Sequence, residues 1–274
     1  MPGVKGVILA GGEGTRLRPL SYYLQKCMIP VGEEQRPVLE YIIRLFKYNG
    51  IEDLVLLVGY KYQQIVNFFD DGERFGVKIT YVIDNPRLKG SANALVQAYR
   101  EGVLSEGDSL VVYYGDILSN IKLKELLKSH SESGAAATVA MAKGYKIRVG
   151  TAEVENDGRI RRFLEKPELD TPACIGILMI SGNALEQMDS FSRTLGKENL
   201  DLMGDVIPNL IRNGDLVKAY LTDAYWYDLG SIELYEKLSN SEIEQELSFL
   251  TEKEFEVLIK NTHRAKVHKP SPDV

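Results

Sequence analysis

The residues of this chain best suited to chemistry cluster near its start. Leu9 and Ala10 close an apolar run that leads into Gly11-Gly12-Glu13-Gly14-Thr15-Arg16, a glycine-rich turn followed by a hydroxyl and a guanidinium. Lacking side chains, glycines let backbone N–H groups turn toward an anion and approach it closely. Arg16 adds a cation that stays charged and grips phosphate oxygens in pairs. The combination suits a polyphosphate; the plainer reading is a glycine-rich strand-to-helix connection with an arginine after it. Two commoner phosphate loops are excluded by inspection. The dinucleotide fingerprint needs a glycine where Leu17 stands, and no Gly-Lys-Ser/Thr run occurs in the chain.

Two aspartates follow apolar runs. Asp116 comes after Leu110-Val111-Val112-Tyr113-Tyr114-Gly115, and Asp228 after Tyr225-Trp226-Tyr227 and before Leu229-Gly230-Ser231. Either alone reads as a turn or helix-capping residue. Mg²⁺, a hard cation, takes one or two carboxylates together with substrate phosphate oxygens, but on these residues alone the capping reading is favoured. Lys26, beside the apolar Cys27-Met28-Ile29-Pro30-Val31, would ordinarily be a surface lysine with a buried stem. Gly90 and Ser91 open a helical pattern with a capping serine. The Asn85 amide can both donate and accept. Glu165 and Lys166, at the end of a hairpin pattern, read on their own as a solvated ion pair.

The string G-G-x-G-T-R-L-x-P-L from Gly11 to Leu20 resembles the signature of the sugar-1-phosphate nucleotidylyltransferases. Other segments are similar to that family's. Lys26 to Val31 looks like its K-P-M-x-P-V box, with Cys27 where proline is frequent, and Arg36-Pro37-Val38-Leu39-Glu40-Tyr41 looks like a packing segment. Gly90-Ser91-Ala92-Asn93-Ala94-Leu95, Tyr114-Gly115-Asp116-Ile117, Glu165-Lys166-Pro167 and Trp226-Tyr227-Asp228-Leu229-Gly230 complete the likeness. The resemblance implies a nucleotide site formed by Leu9, Ala10, Gly11, Gly12, Gly14, Thr15 and Arg16, with Asn85, Gly90 and Ser91 at the base. It implies that Lys26 contacts nucleotide phosphates and that Asp116 and Asp228 hold Mg²⁺. For the acceptor, Glu165 binds a sugar hydroxyl and Lys166 neutralises the 1-phosphate. Gly150 lets the backbone approach the ring, and Cys174 contributes a backbone contact. Arg16, Lys26, Asp116 and Lys166 form the implied catalytic set.

These residues need a scaffold that gathers loop ends. Strand patterns at 4–10, 53–59, 78–84 and 109–114 alternate with helical patterns at 38–48, 62–69, 91–103 and 123–131, which predicts βαβ units and a mainly parallel sheet. In open sheets of this kind ligands bind at the carboxyl ends of strands, where the candidates stand. Further strands are expected at 135–142 and 174–180, a hairpin turning at Asp157-Gly158 within 151–162, and a helix at 200–212. Strands at 216–222 and 225–227 are expected to close the sheet. With the resemblance, the expected fold is a Rossmann-like three-layer α/β/α nucleotidyltransferase fold, its sheet mixed and mainly parallel, with an inserted β-hairpin. Residues 1–240 are expected to form the catalytic domain and 241–274 a C-terminal extension, helical over 242–259 and frayed after 261.

Size and composition agree with this scaffold. A chain of 274 residues, 44% hydrophobic and 26% charged, is ordinary for a folded α/β protein. The formal charge of −6 argues against a broad nucleic-acid surface, so positive charge for an anionic substrate must be local. No apolar run approaches a membrane span, and the first strand begins too early for a signal peptide, so a cytoplasmic location is expected. Cys27 and Cys174 form no disulfide framework or Cys-x-x-Cys pair. The placement of His130, His263 and His268 argues against a catalytic triad or a multi-histidine zinc site.

The expected reaction joins a nucleoside triphosphate to a sugar 1-phosphate and releases pyrophosphate, with Mg²⁺ as cofactor and with neither nucleic acid nor membrane as partner. The C-terminal extension leaves room for a homo-oligomer. Two alternatives stay open: a catalytically silent regulatory relative that binds nucleotide sugar, and a transferase of the same fold with a non-sugar phosphate acceptor. The nucleobase and the sugar are not determined by these residues.

Overall fold

A computed structural model describes residues 3–145, 147, 149–168, 171–196 and 198–250. In chain order the strands are β1 (Val4–Ala10), β2 (Pro30–Val31), β3 (Arg36–Pro37), β4 (Asp53–Val58), β5 (Lys78–Ile83), β6 (Ser109–Tyr114), β7 (Ile117–Ser119), β8 (Ala137–Ala142), β9 (Thr151–Val154), β10 (Ile160–Leu164), β11 (Ala173–Ser181), β12 (Val217–Thr222) and β13 (Trp226–Asp228). The helices are α1 (Val38–Tyr48), α2 (Tyr62–Phe69), α3 (Ser91–Arg100), α4 (Leu123–Ser133), α5 (Asn183–Leu195), α6 (Ile207–Arg212), α7 (Ile232–Lys237) and α8 (Asn240–Leu247).

Seven strands form the central sheet in the order β12-β8-β11-β6-β1-β4-β5. β6, β1, β4 and β5 are parallel, β12 is parallel to β8, and β11 runs against both its neighbours. The period of two divides each strand between two cores. Ile8, Ala10, Leu56, Val111 and Tyr113 face one side; Val7, Leu9, Leu57, Leu110 and Val112 face the other. Because both faces are buried, these strands read as nearly continuous apolar runs. Residues of α1, α2, α4 and α8 pack in the first core, and residues of α3, α5 and α6 in the second, which makes three layers.

One expectation is corrected. The strand near 225–227 does not close the central sheet: β13 pairs antiparallel with β7, with Asp228 opposite Ile117. β7 follows the Gly115-Asp116 turn and supplies the backbone partners that β13 takes. The helix α5 goes beyond the expected pattern, since its buried Ala184, Leu185 and Met188 are diluted by aspartate, serine, threonine and arginine. The hairpin β9–β10 forms a separate two-stranded sheet, all but its first residue exposed. Of the expected C-terminal helix, α8 and a 3₁₀ turn at Ser248–Leu250 are described; residues 251–259 and the tail after 261 lie outside the described residues.

The last described turns are held by charge as well as by packing. Ile243, Leu247 and Leu250 enter the first core. Glu40, 5% exposed, accepts from Arg36 Nη1 at 2.7 Å and from Arg44 Nε at 2.9 Å, and Arg44 Nη1 reaches Leu250 O at 3.0 Å. Removing the carboxylate takes a shared buried acceptor from both guanidiniums, although Arg36 keeps Glu34 and Arg44 keeps Leu250 O. Glu40→Ala should therefore cost roughly 3 kcal/mol of folding free energy in urea titrations. A loss under about 1 kcal/mol, the range of an exposed pair, would show that the network is solvated.

Candidate active site

The end of β1 is fastened to the Lys26 turn by one buried side chain. Gln25 donates from Nε2 to Ala10 O at 2.7 Å and accepts from Cys27 N through Oε1 at 2.5 Å. Lys26 then lies against the glycine turn. A β-carbon at Gly12 would sit 3.2 Å from Lys26 Cε, and one at Gly14 3.0 Å from Lys26 Cβ. Gly14 also has φ +62°, the left-handed region that glycine enters without strain. Lys26 Nζ meets Asp116 Oδ2 at 2.7 Å, with both side chains largely buried.

The β7–β13 ribbon brings the second aspartate to the first. Asp228 stands opposite Ile117, the residue after Asp116, and Leu229 N donates to Asp116 O at 2.9 Å. Arg16 joins them from the glycine turn. A β-carbon at Gly230 would lie 2.8 Å from Asp228 Oδ1 and 3.1 Å from Arg16 Nη2, so the glycine keeps this junction open. Burial raises the Asp228 carboxyl above its ordinary pKa and Asp116 raises it further, while Arg16 and Lys26 oppose the shift. Burial alone would lower the Lys26 pKa, but Asp116, Cys27 and Asp228 hold it above the ordinary lysine value. Two carboxylates that repel each other at a strand-end rim, beside residues suited to phosphate, are a donor set that fits a hard divalent cation.

Beside this cluster opens a cleft of about 740 Å³, within the usual size of a small-molecule site. Leu9, Gly11, Gly12, Asn85, Gly90 and Ser91 line it, as does Lys26. Among the predicted nucleotide residues, Ala10 is instead fully buried, and Gly14, Thr15 and Arg16 belong to the turn that leads to Asp228. Asn85 Oδ1 accepts from Arg87 N at 2.9 Å, so its carbonyl oxygen caps its own loop. Ser91 is tied into a polar network: its hydroxyl donates to Asp201 Oδ2 at 2.9 Å and accepts from Leu202 N at 2.8 Å and Tyr114 OH at 3.4 Å.

Sequence reasoning missed Tyr60, Tyr114 and Asp84 in this cleft, and Asp201 behind it. Asp84 comes at a strand end, as Asp116 and Asp228 do; that position was the available signal.

The predicted acceptor residues are not among those that line the cleft. Gly150 packs against the hairpin, where a β-carbon would lie 2.5 Å from the Phe163 ring and 3.1 Å from Glu165 Oε2. Glu165 and Lys166 are exposed and pair with each other at 4.0 Å, and Lys166 has φ +48°. Cys174 starts β11 beside Met141 and accepts from Gly176 N at 3.5 Å. Gly150 and Glu165 are thus together. Among the described contacts, Lys166 makes none with Lys26, Asp116 or Asp228.

The nucleotidyl transferase family model matches residues 5–245. The chain is 31% identical over 247 residues to a UTP–glucose-1-phosphate uridylyltransferase of Synechocystis, covering 85% of this chain and 61% of that one. It is 30% identical over 235 residues to a mannose-1-phosphate guanylyltransferase of Mycobacterium tuberculosis, covering 84% and 62%. It therefore spans less than two thirds of the length of these relatives. The structure of HddC from Yersinia pseudotuberculosis shares the fold, with TM-score 0.66 and 22% identity over 87% of this chain and 99% of that one. No helix among the described residues is long and apolar enough to cross a membrane.

Burial pushes the Asp84 carboxyl up to about 6. Between its ordinary value near 3.8 and about 6, the folded chain holds this proton more tightly than the unfolded chain. The resulting stability is complete below the lower value and lost as pH rises through the upper one. Asp84→Asn, which cannot ionise, should melt at a higher temperature than the parent at pH 8, and the gain should shrink toward pH 4. A midpoint difference that does not change with pH would mean the carboxylate is fully hydrated.

Proposed function

The chain belongs to the nucleotidyl transferase family, and from that premise we propose that it transfers a nucleotidyl group from a nucleoside triphosphate to a sugar 1-phosphate. The observation that carries this reading is the convergence of Lys26, Asp116, Asp228 and Arg16 beside the glycine turn, with the cleft opening next to them. An oxygen of the sugar phosphate forms a bond to the α-phosphorus as the bond from that phosphorus to the β-phosphate oxygen breaks. Pyrophosphate leaves and a nucleotide sugar remains. The attacking oxygen is already an anion at neutral pH, so no general base is required. The difficulty is bringing two anions together in line, which positioning and fixed positive charge address.

Lys26, held by Asp116, presents a positioned ammonium to the nucleotide phosphates. Arg16 stabilises the charge that develops on the departing pyrophosphate. Asp116 and Asp228 would hold Mg²⁺, which supplies charge neutralisation for phosphate oxygens when bound. Glu165 and Lys166, close to Gly150 on the exposed hairpin, bind the sugar phosphate in this reading. The relatives' names, one a uridylyl- and the other a guanylyltransferase acting on hexose 1-phosphates, support the reaction class.

Pyrophosphate release in the presence of Mg²⁺ tests the proposal directly. The screen crosses five nucleoside triphosphates with glucose, mannose, galactose and N-acetylglucosamine 1-phosphates. At least one pair should turn over, and complete silence of the folded chain would reject the transferase. Within the active pair, Arg16→Ala should lower kcat roughly a hundredfold while changing KM by less. An unchanged kcat would remove Arg16 from the chemistry.

A further inference from the structure

Asp84 is a carboxylate in the cleft that the reaction above does not use. Its backbone N donates to Val58 O at 2.7 Å, which fixes the chain just past β5. Its side chain is set against two glycines. Oδ2 would lie 1.9 Å from a β-carbon at Gly11 and 2.6 Å from one at Gly59, so any other residue at either position would collide with it. Oδ1 is shielded from solvent and has no hydrogen-bond partner among the described residues. A buried acceptor without a donor is costly unless a ligand supplies one.

Its place along the cleft says which part of a nucleotide could do so. Lys26 meets the glycine turn at Gly12, and Asp116 lies beyond Lys26; Asp84 meets the turn at Gly11. Phosphates belong at the lysine end. A carboxylate against Gly11 is unsuited to phosphate but well suited to N–H donors. Leu9, Leu57, Ile83, Pro86 and Ala94 line the same cleft and give it apolar walls for a flat ring.

Resting on the transferase reading, we propose that Asp84 reads the nucleobase and selects guanine. An ionised carboxylate only accepts hydrogen bonds. Guanine presents N1–H and the 2-amino group side by side, so both carboxylate oxygens find a donor once the Asp84 side chain turns from the glycines into the cleft. Uracil and thymine offer one N–H flanked by carbonyl oxygens, and adenine and cytosine an amino group beside a ring nitrogen acceptor. Each of those would set a lone pair against one carboxylate oxygen. A site built around such polar matching rejects the mismatched ligand strongly, because its own buried group is left without a partner.

The test measures binding of GTP, dGTP, ITP, XTP, UTP, dTTP, ATP and CTP to the full chain with Mg²⁺ by titration calorimetry, beside the pyrophosphate-release screen. The parent should bind GTP at least about tenfold more tightly than ITP, which lacks only the 2-amino group, and than UTP, dTTP, ATP and CTP. Asp84→Asn should lose the preference for GTP over ITP and gain affinity for XTP, whose 2-oxo group accepts from the new amide. Tighter binding of UTP, dTTP, ATP or CTP than of GTP, or an unchanged GTP-to-ITP ratio in the variant, overturns the proposal. So does a preference for GTP over dGTP that vanishes in Asp84→Asn, because Asp84 would then be reading the ribose. Selective GTP binding without pyrophosphate release would support the base assignment while rejecting the transferase. The parent's GTP-to-ITP ratio is readable even if the variant fails to fold.

Discussion

The contact between Lys26 and Asp116 is the interaction on which the site's geometry turns. At 2.7 Å and largely out of water, it fixes a cation and a carboxylate together beside the glycine turn. The Lys26 charge would not be stable alone at that depth, since an unpaired buried ammonium tends to lose its proton. Asp228 adds a second carboxylate from another element, and Arg16 a second cation. The chain as a whole is negative, by six formal charges, so attraction for an anionic substrate has to come from this local arrangement. Strand ends suit the purpose because β1 and β6 lie side by side and stop near one level.

Much of the scaffold was legible because burial on both sheet faces leaves a strong mark. β1, β4 and β6 are nearly uninterrupted apolar runs separated by amphipathic helices, β5 at the sheet edge is half-exposed, and the limits of all four fall close to the expected ones. The β7–β13 ribbon was not legible. Trp226 and Tyr227 are only partly buried, and a short aromatic run says that a strand forms but not which strand accepts it. Yet this pairing brings Asp228 to Asp116, so the two aspartates were identifiable from their motifs while the means of joining them was not.

The Asp84 end of the cleft shows the opposite case. Asn85 attracts notice because an amide both donates and accepts, but its oxygen is committed to Arg87 N. Asp84, one residue earlier, looks in the sequence like an ordinary turn residue after a strand. What sets it apart is tertiary: two glycines from different loops, Gly11 and Gly59, make room for its carboxyl. Pattern within a segment carries no information about a contact whose partners lie far apart in the chain.

Cys27 shows how a departure from a motif can be explained locally. A proline at this position would have no backbone N–H. Cys27 does have one, and it donates to Gln25 Oε1 at the start of the 3₁₀ turn that carries Lys26. With its carbonyl oxygen engaged there, Gln25 keeps its amide nitrogen directed at Ala10 O, which joins the turn to the last residue of β1. The thiol fills the space against Gly115, where a β-carbon would come within 2.7 Å of Sγ, and burial pushes it up to about 12, so it stays neutral beside Lys26. Where proline would stiffen the turn by restricting φ, this chain holds it by a buried amide that grips both sides. The rigidity needed to aim Lys26 at Asp116 is therefore supplied by hydrogen bonding.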